Sequence, residues 1–230
     1  IGTISGTSIS WGSEAIFHNV ATTYIKVAYD KNTANKFLVT YSSSSVYNAR
    51  VGSVSNTSVT FGTEQQVSSF AGNANLDMQC NPNVTGQFVL IMLSSQQGIV
   101  YSLTISGTNV SASAATNWVY DPSNMRIAFD PSTSGAFGIS YRGVSNYQYV
   151  ASGSVSGSIF TFLAPQAVTS VYSNSLSIGF DPNSALKFVT ASSAANNSFS
   201  GKIVVGLIGK GAVFNLTSTN FLGTSTAAYT

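Results

Sequence analysis

One cysteine and one histidine stand in 230 residues. The lone Cys80 excludes an internal disulfide framework, and the lone His18 excludes a histidine-rich metal site. Charge is equally scarce, at 7% of the chain against ~25% in ordinary soluble domains. The acids are Glu14, Asp30, Glu64, Asp77, Asp121, Asp130 and Asp181, a small pool for Ser/His/Asp chemistry or paired-carboxylate hydrolysis. Nine Lys and Arg leave a net charge of +2. Without clustering they make no nucleic-acid footprint. No apolar run approaches the ~18–20 residues of a membrane span. No stretch carries a helical period, and no charged-then-apolar leader opens the chain at Ile1. The expectation is a piece of something longer, with no nucleic-acid partner and no membrane insertion.

What the chain does have is hydroxyls, amides and aromatics. Ser, Thr and Asn make up roughly a third of it, and 14 Phe contribute to 43% hydrophobic content. That content offsets the entropy of ordering, so disorder is excluded. A chain of this length buries roughly 70% of its unfolded surface.

The chain also repeats itself, which decides the fold. Four alternating segments end in an acidic or amide turn: Ile25 to Asp30, Leu76 to Asn81, Met125 to Asp130 and Leu176 to Asp181. Seven residues after each turn residue stands a phenylalanine, Phe37, Phe88, Phe137 and Phe188, opening a second alternating run. Between these units lies another hairpin, Gly2 to Trp11, echoed by Gly52 to Phe61, Leu103 to Ser111 and Gly153 to Phe162. A decayed fifth copy spans Gly206 to Phe214. The Gly/Asn-Thr/Ser step in each is a tight-turn signal, because Gly and Asn tolerate positive φ.

The unit is therefore about 50 residues and four short strands, the signature of a β-propeller blade. The predicted fold is an all-β, propeller-like array, with a β-solenoid or sandwich as the alternatives. Residues 1–215 form the array, four repeats plus a half that continues upstream of Ile1. Residues 216–230 form an exit segment toward a further module. The unmatched hairpin over residues 2–17 then takes its partner from upstream, and the 230-residue piece is expected to fray or self-associate there.

Runs such as Val51-Gly52-Ser53-Val54-Ser55-Asn56-Thr57-Ser58-Val59-Thr60-Phe61-Gly62-Thr63, followed by an apolar strand, Tyr/Phe-Asp-Pro and another apolar strand, resemble the repeats of bacteriophage tail-fibre and tailspike-like proteins. Those repeats are common in phages of aquatic bacteria. The stretch from Thr219 to Ser225 is similar to the segment that joins such repeats to a C-terminal module. The resemblance covers nearly the whole chain. It implies a virion appendage, other appendage subunits and further copies of the chain as partners, and host-surface recognition nearby. It carries over no catalytic residue.

Several residues are candidates for sites. Asp30, Asp130 and Asp181, with Asn81 in the same slot, read as Asx turns. A calcium site is the rival reading, but Asn81 lacks the charge and no second acid recurs beside it. His18 has Glu14 as its only near partner in sequence and no counterpart in the other repeats, so it reads as a non-catalytic residue. Glu14 and Glu64 lie one repeat apart and could be read as a hydrolytic pair. Solvated charges that discourage edge pairing are the favoured reading. Cys80 and the four Phe occupy core slots. Asn56, Asn83, Asn109, Asn196 and Asn215 begin formal glycosylation sequons of no consequence in a bacterially made phage protein.

The repeats diverge most in the loops 42–48, 94–98, 142–149 and 192–197. A constant scaffold with variable loops is the layout of a binding surface. Tyr47, Asn48, Gln96, Gln97, Arg142, Asn146, Tyr147 and Asn196 are the candidate carbohydrate-binding residues, offering stacking faces and hydrogen bonds. The expected function is a non-enzymatic virion appendage segment that meets a host glycan, with no cofactor and no metal. A capsule-depolymerising tailspike and a bacterial adhesin or extracellular filament are the rivals.

Overall fold

The computed structural model of the chain describes residues 2–70, 75–194, 200–209 and 213–221. Among these residues there is no helix. A hairpin of β1 (Gly2–Ser5) and β2 (Ser8–Trp11) comes first and pairs only with itself. The next strands, β3 (Thr23–Tyr29), β4 (Lys36–Ser43), β5 (Val46–Ser55) and β6 (Ser58–Phe61), form one antiparallel sheet in that order. A fifth strand, β7 (Gln65–Ser68), pairs with β5 beside β6.

The repeat is thus five strands rather than the expected four, for a reason visible in lengths. β5 has ten residues and its hairpin mate β6 only four. Half of one β5 edge is left with open N–H and C=O groups, and β7 fills it. The second repeat reproduces the plan with β8 (Leu76–Cys80), β9 (Gln87–Ser94), β10 (Gln97–Ser106), β11 (Asn109–Ala112) and β12 (Thr116–Tyr120). The third has β13 (Ser123–Phe129), β14 (Ala136–Arg142), β15 (Tyr147–Ser156) and β16 (Ile159–Phe162). Its fifth strand runs without interruption into the fourth repeat as β17 (Gln166–Phe180), which pairs first with β15 and then with β18 (Lys187–Ala194). β19 (Ser200–Ile208) and β20 (Val213–Phe221) complete that sheet. The expected boundary at residue 215 falls inside β20, and residues 222–230 lie outside the described residues.

The central strands are apolar on both faces because both faces are covered. Leu38, Ala49 and Val51 pack against Leu76, Met78, Phe88 and Leu90 of the second repeat. On the opposite face of that repeat, Val89, Ile91 and Val100 pack against Met125, Ile127, Phe137 and Ile139 of the third. Each of these two sheets therefore lays its phenylalanine face on the repeat before it. Phe37, Phe88, Phe137 and Phe188 are all buried. Three of them face glycine across the ladder, at Gly52, Gly153 and Gly206. A Cβ on Gly52 would lie 2.0 Å from Phe37 Cζ, so the glycine is dictated by the ring. Between the third and fourth repeats the packing is more polar. There Gln148 Nε2 donates to Ser140 Oγ at 2.9 Å and to Thr190 Oγ1 at 2.6 Å.

A left-handed pivot stands two residues before each Phe: Asn35, Gly86, Gly135 and Leu186 have φ of 62°, 70°, 70° and 62°. Its carbonyl accepts the N–H of Val54, Ile105, Val155 or Ile208 in turn. Four copies of one local geometry arise from four copies of one spacing.

Candidate functional site

Two of the repeated acids, Asp30 and Asp130, act between repeats. Asp30 Oδ1 accepts the N–H of Asn32 at 3.0 Å, the predicted Asx turn. Its Oδ2 accepts the N–H of Gly86, 56 residues later, at 3.1 Å. Asp130 repeats this, with Oδ1 on Ser132 N–H at 2.9 Å and Oδ2 on Leu186 N–H at 2.7 Å. Asn81 keeps the turn bond to Asn83, and its Nδ2 donates to Gln87 Oε1 at 2.6 Å. Asp181 caps Asn183 at 2.9 Å and pairs with Lys187 at 3.4 Å. The Asn183 N–H is the main reason its carboxyl is held below the usual range. Asp77 works similarly, accepting Ile127 N–H at 3.1 Å and pairing with Lys26 at 3.3 Å. Both oxygens of Asp30 and of Asp130 are thus committed to backbone N–H groups. Cys80 is buried, and burial pushes its thiol pKa up.

Three of the four variable loops are tight turns between consecutive strands: Ser44–Ser45 between β4 and β5, Ser95–Gln96 between β9 and β10, and Gly143–Asn146 between β14 and β15. Gln96 and Asn146 are exposed there, and Gln97, Arg142 and Tyr147 are half-buried. Tyr47 corrects the expectation of an exposed tyrosine. It is completely buried in β5, its hydroxyl donating to the Tyr24 carbonyl at 2.8 Å. The alternation Tyr47, Ala49, Val51 explains this, since the three share the core face of one strand. Asn48 is also buried. Asn196 lies outside the described residues.

Two groupings form around these turns. Arg142 Nη1 reaches Tyr172 Oη at 2.8 Å and Asn174 Oδ1 at 2.7 Å, with the guanidinium 5.3 Å from the Tyr172 ring centre. The exposed Tyr120 donates its hydroxyl to Gln96 Oε1. Asn124 links the neighbouring repeats, its N–H going to Asn75 Oδ1 at 2.9 Å and its Nδ2 to Asn174 Oδ1 at 3.4 Å.

The third grouping is not legible in the sequence. His18 lies 46 positions from Glu64 and 25 from Ser43, yet its Nδ1 is 3.0 Å from Glu64 Oε2 and its Nε2 is 3.0 Å from Ser43 Oγ. Tyr41 Oη also donates to Glu64 Oε2. Burial, with the adjoining carboxylate second, raises the Tyr41 pKa, so it remains a donor. Glu14, the near partner in sequence, is exposed. His18, Ser43 and Glu64 border an open cleft of about 370 Å³ that Asn48 and Gln66 also line.

Comparison with known proteins adds no identity: no family model matches the chain, and no curated protein matches it.

Proposed function

We propose that this chain is a propeller-like segment of a bacteriophage tail fibre or related virion appendage, and that its variable turns meet a neutral or weakly charged glycan on the host surface. The observation that carries the reading is the Arg142–Tyr172–Asn174 group together with the exposed Gln96–Tyr120 pair of the preceding repeat. A sugar ring needs an apolar face to stack on and planar donors and acceptors at its rim. Tyr172 and Tyr120 are 39% and 55% exposed and supply the faces. Arg142, Asn174 and Gln96 supply the rim. Low charge makes such binding weakly dependent on salt. Each contact is shallow, about millimolar or −4 kcal/mol. Several copies of the chain in one appendage then raise the overall avidity.

The test is a glycan array probed with multimerised protein at two salt concentrations. Wild type is expected to bind a subset of neutral glycans at both, and Arg142→Ala and Tyr172→Ala to lose that signal. No binding by wild type, or equal binding by both variants, overturns the reading.

A further inference from the structure

We propose that Ser43, His18 and Glu64 form a nucleophile–base–carboxylate relay that hydrolyses small acyl esters in the cleft at the start of the array. The order of contacts is that of a serine hydrolase: hydroxyl to one imidazole nitrogen, carboxylate to the other. Both distances are 3.0 Å. With the carboxylate at Nδ1, that nitrogen carries the proton and Nε2 is left to accept from Ser43. The assignment of the proton rests on these neighbours.

The surroundings hold this arrangement in place. Arg50 Nε donates to the Gly62 carbonyl at 2.9 Å, and its Nη1 donates to the Phe17 carbonyl. One guanidinium thereby ties down the segment carrying His18 and the segment carrying Glu64. Tyr41 donates to Glu64 Oε2 and lies tilted beside the imidazole, ring centres 5.0 Å apart. The scaffold itself asks for none of this. At the positions equivalent to Arg50 the other repeats have Tyr101, Ala151 and Val204. At those equivalent to Glu64 the second and third repeats have Ala115 and Pro165. The chain's only histidine, an arginine and a glutamate converge where the repeat pattern needs no such groups.

The chemistry balances with water alone. Ser43 Oγ attacks the ester carbonyl carbon as its proton passes to His18 Nε2. The C–O bond to the alkoxy group breaks, and His18 returns the proton to the departing alcohol. Water then attacks the acyl-Ser43 ester, again losing a proton to His18, which delivers it to Ser43 Oγ as the carboxylic acid leaves. Ser43 and His18 are the catalytic residues, and Glu64 is a positioning residue that fixes the imidazole. The amides of Asn48 and Gln66, which line the cleft, are the donors at hand for the carbonyl oxygen. This inference is independent of glycan binding, since its cleft lies on the first repeat and the Arg142 group on the third and fourth.

The experiment uses the whole chain, p-nitrophenyl acetate as substrate and a fluorophosphonate as active-site label. Peptide mapping should place the label on Ser43, and Ser43→Ala and His18→Gln should lower kcat/KM by about 10²-fold or more. Glu64→Gln should lower kcat about tenfold with KM unchanged, since the carboxylate only orients the base. Circular dichroism melts matched to wild type separate these losses from misfolding. Absence of label on Ser43, or hydrolysis undiminished in Ser43→Ala, overturns the proposal.

Discussion

Replacing Asp130 by asparagine exchanges one carboxylate oxygen for an NH₂ group at a completely buried position. The Asx turn survives, because Oδ1 can still accept the Ser132 N–H at 2.9 Å. The other oxygen accepts the Leu186 N–H at 2.7 Å, and an NH₂ there would set donor against donor. Asn81 shows what an asparagine in this slot requires, since its Nδ2 is taken up by Gln87 Oε1. The residue equivalent to Gln87 in the third repeat is Ala136, which has no side-chain acceptor. A lost hydrogen bond to a charged group and an orphaned buried N–H together cost about 2–3 kcal/mol. Asp181→Asn is the internal control: that carboxylate is partly exposed and serves its own turn. Its replacement should leave the denaturation midpoint unchanged within error. Urea unfolding followed by circular dichroism, with ΔΔG taken at constant slope, gives the comparison. If Asp130→Asn unfolds with the wild-type midpoint, or Asp181→Asn falls as far, the carboxylates do not join the repeats.

Phe137→Ala should cost about 3–5 kcal/mol in the same assay, because the ring is fully buried between the second and third repeats; a loss below about 1 kcal/mol would deny that packing. Tyr41, Tyr47 and Tyr141 have pKa values raised chiefly by burial. For a phenol raised in the folded state, stability is fully present below the unfolded value near pH 10 and is lost as pH climbs toward the folded value. Absorbance at 295 nm should therefore show three of the 11 tyrosines ionising only together with unfolding; smooth titration of all of them near pH 10 would refute their burial.

The spacing of Asp30, Asn81, Asp130 and Asp181 and the seven-residue offset to each Phe are enough to foresee repeated antiparallel units and a buried aromatic row. Those features depend on local alternation and turn chemistry, which a sequence displays directly. The fifth strand escapes such a reading because β7 and β12 are short and no tight turn joins them to their partners β5 and β10, since β6 and β11 intervene in the chain. The second oxygen of Asp30 and Asp130 is invisible for another reason. Whether it reaches an N–H 56 residues later depends on how closely one sheet lies on the next. Tyr47 reads as a loop residue only because the serine run before it hides the start of an alternating strand. The His18–Glu64–Ser43 group is hidden because its members come from three segments: the pairing of β4, β5 and β7 brings Ser43 and Glu64 near each other, and Arg50 ties in the segment carrying His18.

The central structural claim is that carboxylates of one repeat hold the backbone of the next, 50 or 56 residues on. Amide hydrogen exchange resolved by residue tests it most directly, at Gly86, Ile127 and Leu186, whose N–H groups are donated to Asp30, Asp77 and Asp130. Gly86 and Leu186 lie in turns just before strands, so without those bonds they should exchange at loop rates. The expected result is protection at all three amides comparable to that of the central strand β9, lost at Leu186 alone in Asp130→Asn. Rapid exchange of Gly86 and Leu186 in the wild-type protein would contradict it.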